Sequence, residues 1–578
     1  MSTAINTARW NQAVDRARAE LGTLPPALGV DDYLRAWSEW CLTLAASPEQ
    51  QRALAQSAAC AAIDNWRFAF EATQALADGS ATAHANDAAQ FTGPAWNYWP
   101  FNIYAHGYAQ LSKWSQQALA LAPQMAPDSA QRLEFLRRLA LSALSPAHYL
   151  PTNPELLAQT TAEGGMNLLR GAQYWLEDAA RLFEGGGASG SGKFRVGAEV
   201  AITPGKVVLR NELMELIQYS PQSATVHAEP ILITPAWIMK YYVLDLSPGN
   251  SLVKFLVERG HTVFMLSWRN PTAADRNLAM RDYVRLGLYA ALDAVSAIVP
   301  GQRVHTVGYC IGGTLLTIGA AALAAANDER IATITLLAAQ TDFSEAGELA
   351  VFISPNQLAA LQVQMQRDGV LSSQSMGAAF ALLRASDLIW APMVNQYLRG
   401  QRGTLTDLMA WNADGTRMPC RMHSEYLSRL YLHNELSTGR YTMDGATVDL
   451  KKLEVPMFVV GTETDHVAPW PSVFKTPALT HSHDYTFVLT SGGHNAGIVS
   501  GATNPKRRHR LLHASAPTGL TPATFIERAE MHAGSWWGSW QQWLEAHSPQ
   551  AKVAPPPLGN PASGYPPLAD APGEYVRG

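Results

Sequence analysis

Residues 304–322 constrain the fold more tightly than any other stretch of the chain. Val304-His305-Thr306-Val307 is a short β-branched run that reads as a buried strand. Gly308-Tyr309-Cys310-Ile311-Gly312-Gly313 follows, and Thr314 to Ala322 is helix-forming. A strand turning sharply through Gly-x-Cys-x-Gly into a helix is the context of a nucleophile elbow, with Cys310 where G-x-S-x-G carries serine. The glycines let strand and helix approach closely and leave residue 310 on a strained turn. Sulfur at a helix N-terminus is favoured as thiolate by the dipole and the free N–H groups, and those groups can also stabilise an oxyanion. Taken alone, the pattern equally suits a structural Cys among packing glycines, so the downstream partners carry the decision.

Two later strands each end in a residue that a Cys nucleophile needs. Val459-Val460-Gly461-Thr462-Glu463-Thr464-Asp465 delivers an acid just past a strand, and Leu489-Thr490-Ser491-Gly492-Gly493-His494 delivers a histidine just past the next. Nucleophile, acid, histidine is the chain order of the α/β-hydrolases. His494 is expected to be the base and Asp465 its orienter. His466 is expected to point elsewhere as a structural neighbour, while His481 and His483 precede the strand and fit poorly. An oxyanion hole needs two backbone donors. Ile311 supplies one, and the loop Pro235-Ala236-Trp237-Ile238 supplies the other, with Trp237 the first choice.

The rest of the chain fits around this constellation. Residues 1–192 read as a helical domain rich in Ala, Leu, Gln and Arg. Ile63, Trp66 and Phe70 mark one helix, and Leu133, Leu136, Ala140 and Leu144 another. The aromatic run Trp96 to Tyr104 is expected to be a packed corner. Gly185 to Gly192 is expected to be a flexible break. Its partial likeness to a P-loop fails because Lys193 is followed by Phe194.

Residues 193–578 alternate strands and helices, which implies a mostly parallel sheet with helices on both faces. The alternation stops at about 342–450, a Leu-, Met- and Trp-rich helical segment expected to cap the carboxyl edge of the sheet. Trp536, Trp540 and Trp543 are spaced to lay a Trp face on the core, and the Pro-rich tail from about 551 to 578 is expected to be extended.

Bulk properties remove other classes. A net charge of −5 with scattered basic residues gives no footprint for nucleic acid, and the dense run Lys506-Arg507-Arg508-His509-Arg510 is expected to be a solvated loop. Four cysteines without a C-x-x-C pair argue against a disulfide scaffold or a zinc site and fit a reducing cytoplasm. The N-terminus lacks a signal-peptide core, and no apolar run approaches about 18 residues, so no transmembrane segment is expected.

Together these motifs resemble the polyhydroxyalkanoate synthases, most closely the single-subunit class I type. The resemblance includes Asn167-Leu168-Leu169-Arg170-Gly171, Lys240 to Pro248, Gly260-His261-Thr262-Val263-Phe264 and Ser267-Trp268-Arg269-Asn270-Pro271. It also includes the Cys310 box, Asp387-Leu388-Ile389-Trp390, Trp411-Asn412-Ala413-Asp414, Asp465 to Trp470, Gly493-His494 and Gly534-Ser535-Trp536-Trp537.

The resemblance implies an α/β-hydrolase fold with an inserted helical cap and an N-terminal helical domain. It implies polymerisation of (R)-3-hydroxyacyl-CoA, of short chain such as 3-hydroxybutyryl-CoA, with release of CoA. Cys310 would carry the acyl chain, His494 would be the base and Asp465 its support. CoA thioester is the substrate, and neither a cofactor nor a metal is implied. A homodimer is expected, working in the cytoplasm at the surface of polyester granules beside granule-associated proteins, with the N-terminal domain supporting both. Arg384 could meet a CoA phosphate or make an ordinary ion pair. A Cys-type thioesterase or intracellular polyester depolymerase would share the triad, and a weakly active or non-catalytic granule-associated paralogue is the remaining alternative.

Overall fold

The computed structural model describes residues 30–83, 90–184, 193–515 and 519–578. The expected Gly185–Gly192 break and the N-terminal stretch Met1–Trp10 lie outside the described residues. The chain divides into two compact units, Met1–Ser189 with Ser375–Thr404, and Gly190–Gln374 with Leu405–Gly578. The segment expected as a cap is thereby split. Its middle, Ser375–Thr404, clusters with the N-terminal helices, and its flanks stay with the sheet.

The first unit is helical, with long helices at Val30–Ala45, Pro48–Ala77, Phe101–Ala120, Pro127–Leu144 and Met166–Glu184. Ser47 caps the second of these, its hydroxyl accepting the Gln50 N–H, with Pro48 at the first helical position where no N–H is needed. Small cores form around Ala36, Ala122, Met125 and Leu133, and around Phe91, Trp96 and Ala105. The Asn167–Gly171 and Asp387–Trp390 motifs hold the returning segment here. Asn167 donates to the Leu398 carbonyl at 2.8 Å, and Trp390 stacks on His148 with centroids 4.9 Å apart. Arg402 pairs with Glu177 and Asp178.

The aromatic corner only partly meets expectation. Trp96 is buried, but Tyr98, Trp99 and Tyr104 are exposed. Ile63, Trp66 and Phe70 do share a helix, yet their stripe faces solvent, with Trp66 71% exposed.

The second unit is built on a sheet of eleven strands among the described residues. They are β1 (Gly205–Arg210), β2 (Met214–Tyr219), β3 (Ile231–Thr234), β4 (Val263–Trp268), β5 (Val304–Tyr309), β6 (Ile331–Leu337), β7 (Met457–Thr462), β8 (Tyr485–Thr490), β9 (Arg508–Ala514), β10 (Glu530–Ala533) and β11 (Ala569–Asp570). Their order is β10-β9-β8-β7-β6-β5-β3-β4-β2-β1-β11. β4, β3, β5, β6, β7 and β8 pair in parallel, and the strands outside them are antiparallel. All six parallel strands are buried along their length, as continuous apolar runs covered on both faces require.

The helix Trp537–Ala546 lays Trp537, Trp540 and Trp543 on the core, and the Trp540 indole donates to Thr335 on β6 at 3.0 Å. Within the tail, Ala569–Asp570 extends along β1. The basic run is not a loop throughout, because β9 begins at Arg508. His509 faces inward between exposed Arg508 and half-exposed Arg510, an alternation that the charge of the run had masked. Among the described residues no single helix is long and apolar enough to cross a membrane.

Candidate active site

β5 ends at Tyr309, and the helix Ile311–Ala325 starts one residue later, leaving Cys310 alone in the turn. Its backbone stands at φ 53°, ψ −131°, a conformation that costs a non-glycine residue on the order of 1–3 kcal/mol. The turn survives because its neighbours have no side chain. A Cβ on Gly308 would lie 2.3 Å from the Gly313 Cα, and one on Gly312 would lie 2.3 Å from the Thr234 carbonyl oxygen. The Cys310 N–H is anchored to the Leu337 carbonyl at 2.8 Å.

Asp465 follows β7 and is fixed by short-range bonds. One carboxylate oxygen accepts the N–H groups of Val467 and Ala468 at 2.9 and 2.8 Å. The other accepts the Thr462 hydroxyl at 3.1 Å and His494 Nδ1 at 2.8 Å. Burial pushes this carboxyl up, but facing His494 and accepting these bonds holds it below its ordinary value. His494 follows β8, its imidazole lying between Asp465 and Cys310. Burial disfavours the imidazolium, yet negative charge at Asp465 and Cys310 outweighs it and raises the imidazole well above its ordinary value. Three parallel strands thus bring together the residues expected from the sequence, each just past a carboxyl end.

The loop bearing His494 is held by donors from the Trp-rich helix. The Trp536 and Trp537 indoles donate to the Gly497 and Ile498 carbonyls at 3.1 and 3.0 Å, and Arg507 donates to the Ser491 carbonyl at 3.1 Å.

Around the sulfur, the structure adds residues that the sequence did not single out. Tyr426 and Tyr431 are joined through their hydroxyls at 3.4 Å and pack with Phe343. Burial, then each other's hydroxyl, then charge at Cys310 raise Tyr426; Tyr431 is raised by burial and by charge at Cys310 and Asp465. Both tyrosines come from the 405–450 side of the insertion, where no motif marked them.

Ile311 and Trp237 were the two expected backbone donors. Close packing at Gly312 presses the helix N-terminus against the Thr234–Pro235 backbone. Among the described residues neither the Ile311 nor the Trp237 N–H is engaged by a backbone carbonyl. Trp237 is buried against Trp268 and Tyr283. Its carbonyl accepts the Thr416 hydroxyl at 2.5 Å, the Ile238 carbonyl accepts the Thr416 N–H at 3.3 Å, and the Trp411 indole donates to the Lys240 carbonyl at 2.7 Å.

Arg384 lies in the helical unit, where its guanidinium is held by Asp387, the second of its two expected readings. The His466 carbonyl accepts the Glu348 N–H at 3.0 Å, and His481 and His483 are exposed. Among the described residues no three His, Cys, Asp or Glu side chains are grouped as a metal ion would require.

Residues 87–256 match the family described as poly-beta-hydroxybutyrate polymerase (PhaC) N-terminus, and residues 229–500 match the alpha/beta hydrolase fold. A poly(3-hydroxyalkanoate) polymerase from Methylorubrum extorquens is 40% identical over 495 residues, covering 84% of this chain and 80% of that protein. A poly(3-hydroxyalkanoate) polymerase subunit PhaC from Cupriavidus necator is 34% identical over 514 residues, covering 87% and 85%. The chain belongs to the poly(3-hydroxyalkanoate) polymerase family. It is therefore an acyltransferase-type enzyme of the α/β-hydrolase superfamily. Among solved structures, a monoacylglycerol lipase from Paleococcus ferrophilus is 9% identical, covering 58% of this chain and 99% of that one at a TM-score of 0.32.

Proposed function

We propose that this polymerase joins (R)-3-hydroxyacyl groups from CoA thioesters into polyester and releases CoA, with Cys310 as nucleophile, His494 as base and Asp465 as its orienter. The observation that carries the reading is the 2.8 Å bond from His494 Nδ1 to Asp465, with the other side of the ring turned to a thiol on a strained elbow. The Cys310 thiolate attacks the substrate carbonyl, the tetrahedral oxyanion rests on the N–H groups of Ile311 and Trp237, and CoA leaves with the proton that His494 held. Thioester has been exchanged for thioester, so the acyl group stays activated. A monomer's 3-hydroxyl then gives its proton to His494, and its oxygen attacks the Cys310 thioester. An ester bond forms and the sulfur is freed. A serine ester at position 310 would forfeit much of that driving force.

Water is the competing nucleophile, and Phe343, Tyr426, Tyr431 and buried Trp237 supply an apolar surround that disfavours it. The exposed aromatic stripes of the helical unit suit contact with an apolar polymer surface, in keeping with a cytoplasmic enzyme working on granules as a homodimer.

The test is release of CoA from (R)-3-hydroxybutyryl-CoA and from a longer homologue, with isolation of the product. Insoluble polyester and preference for the shorter substrate are expected. Free hydroxy acid would instead make the chain a thioesterase, and faster turnover of the longer thioester would overturn the short-chain assignment. Cys310→Ala is expected to lower CoA release by at least about 10³-fold while leaving the fold intact. Near-normal release from that variant would remove the triad.

A further inference from the structure

Tyr309 is the residue between the glycine and the nucleophile of the elbow, and its side chain is buried. Its hydroxyl donates to Asn495 Oδ1 at 2.5 Å, and Asn495 is the residue directly after His494. The Tyr309 ring lies 5.8 Å from the imidazole, tilted by 32°. One side chain on the nucleophile strand therefore grips the base loop at its working end. The Trp536, Trp537 and Arg507 donors reach the same loop at Gly497, Ile498, Ser491 and Ser500, on either side of His494. Among the described residues no other side-chain hydrogen bond joins the stretch between those anchors to β5.

We infer that the Tyr309–Asn495 hydrogen bond is a positioning latch that sets the distance between the His494 imidazole and the Cys310 thiol. Tyr309 acts through His494 and takes no part in the chemistry. The latch rests on the triad reading and adds to it a reason for a polar residue at the end of the nucleophile strand, where packing alone would be served by phenylalanine.

The readout is the rate of Cys310 alkylation by iodoacetamide at one fixed pH, followed by mass spectrometry of the Cys310 peptide so that Cys41, Cys60 and Cys420 do not interfere. The titratable groups facing the sulfur are His494, Tyr309, Tyr426 and Tyr431, with Asp465 behind the imidazole. A thiol with an imidazole base in hydrogen-bond reach is a faster nucleophile than one without. In Tyr309→Phe the alkylation rate of Cys310 is expected to fall several-fold, and kcat to fall about tenfold with KM nearly constant. Asn495→Leu is expected to do the same. The double variant is expected to be no worse than either single one, because both break one bond.

An alkylation rate and kcat unchanged in Tyr309→Phe, even with a lowered Tm, overturn the latch, as do effects that add in the double variant. These results leave the triad standing. A Cys310→Ala protein that keeps its activity overturns the triad instead, so the two failures are distinguishable.

Discussion

The two units use tryptophan in opposite ways. In the sheet unit Trp237, Trp536, Trp537 and Trp540 are sealed in, and three of their indoles each find an oxygen. In the helical unit Trp37, Trp66 and Trp175 are each more than half exposed, along helices that bury few side chains, among them Tyr33, Ala36, Leu44, Ala72 and Asn167. An apolar stripe at helical spacing fixes the helix but not what covers the stripe. In the sheet unit the covering surface is another part of the same chain; in the helical unit it is left open.

The largest expected effect that sharpens this contrast is at Trp540. Trp540→Ala removes a fully buried indole and its bond to Thr335, and unfolding of the sheet unit in denaturant should show a loss of about 3–5 kcal/mol. A loss under about 1 kcal/mol would mean that the Trp face is not core.

Next comes acid. Burial, with help from neighbouring His227, depresses His261 to about 3, and burial depresses His423 to about 4. Below the ordinary value of about 6.5 the unfolded chain takes up protons that these folded sites refuse, so stability falls as pH falls. Each site costs about 2 kcal/mol by pH 5. His494 has the opposite sign, since its folded value is raised, and its stabilising share is complete below about pH 6.5. His261→Gln should therefore shrink the stability lost between pH 7 and pH 5 by about 2 kcal/mol. An unchanged loss would mean that His261 is protonated in the folded state.

The smallest effect is at Trp66. Trp66→Ser should change stability by no more than about 0.5 kcal/mol. A cost resembling that of Trp540→Ala would show that a second surface covers the helix in solution, and would remove the contrast.

The sheet unit was the more legible in the sequence for the same reason. Runs such as Val459-Val460 and Phe487-Val488-Leu489 are apolar on both faces because both faces are covered, and their ends announce Asp465 and His494. β1 and β2 were missed because Lys206, Arg210, Glu215 and Gln218 interrupt them. Glu215 is fully buried only because Arg210 and the backbone N–H groups of Glu574 and Tyr575 meet it, and those partners are close in space but mostly remote in sequence. Tyr426 and Tyr431 were missed because nothing local distinguishes them from cap packing. The same holds for the division of the insertion, which is set by long-range ties such as Asn167 to Leu398 and Arg402 to Asp178.

The stretch Trp411–Thr416 bears on how substrate reaches the sulfur. A lid attached only at its stems could swing away whole. This insertion is stitched to the chain after β3 through Trp411 and Thr416, so on the proposed thioester chemistry entry calls for bending inside the insertion rather than its departure, with the stitched part staying behind as a wall.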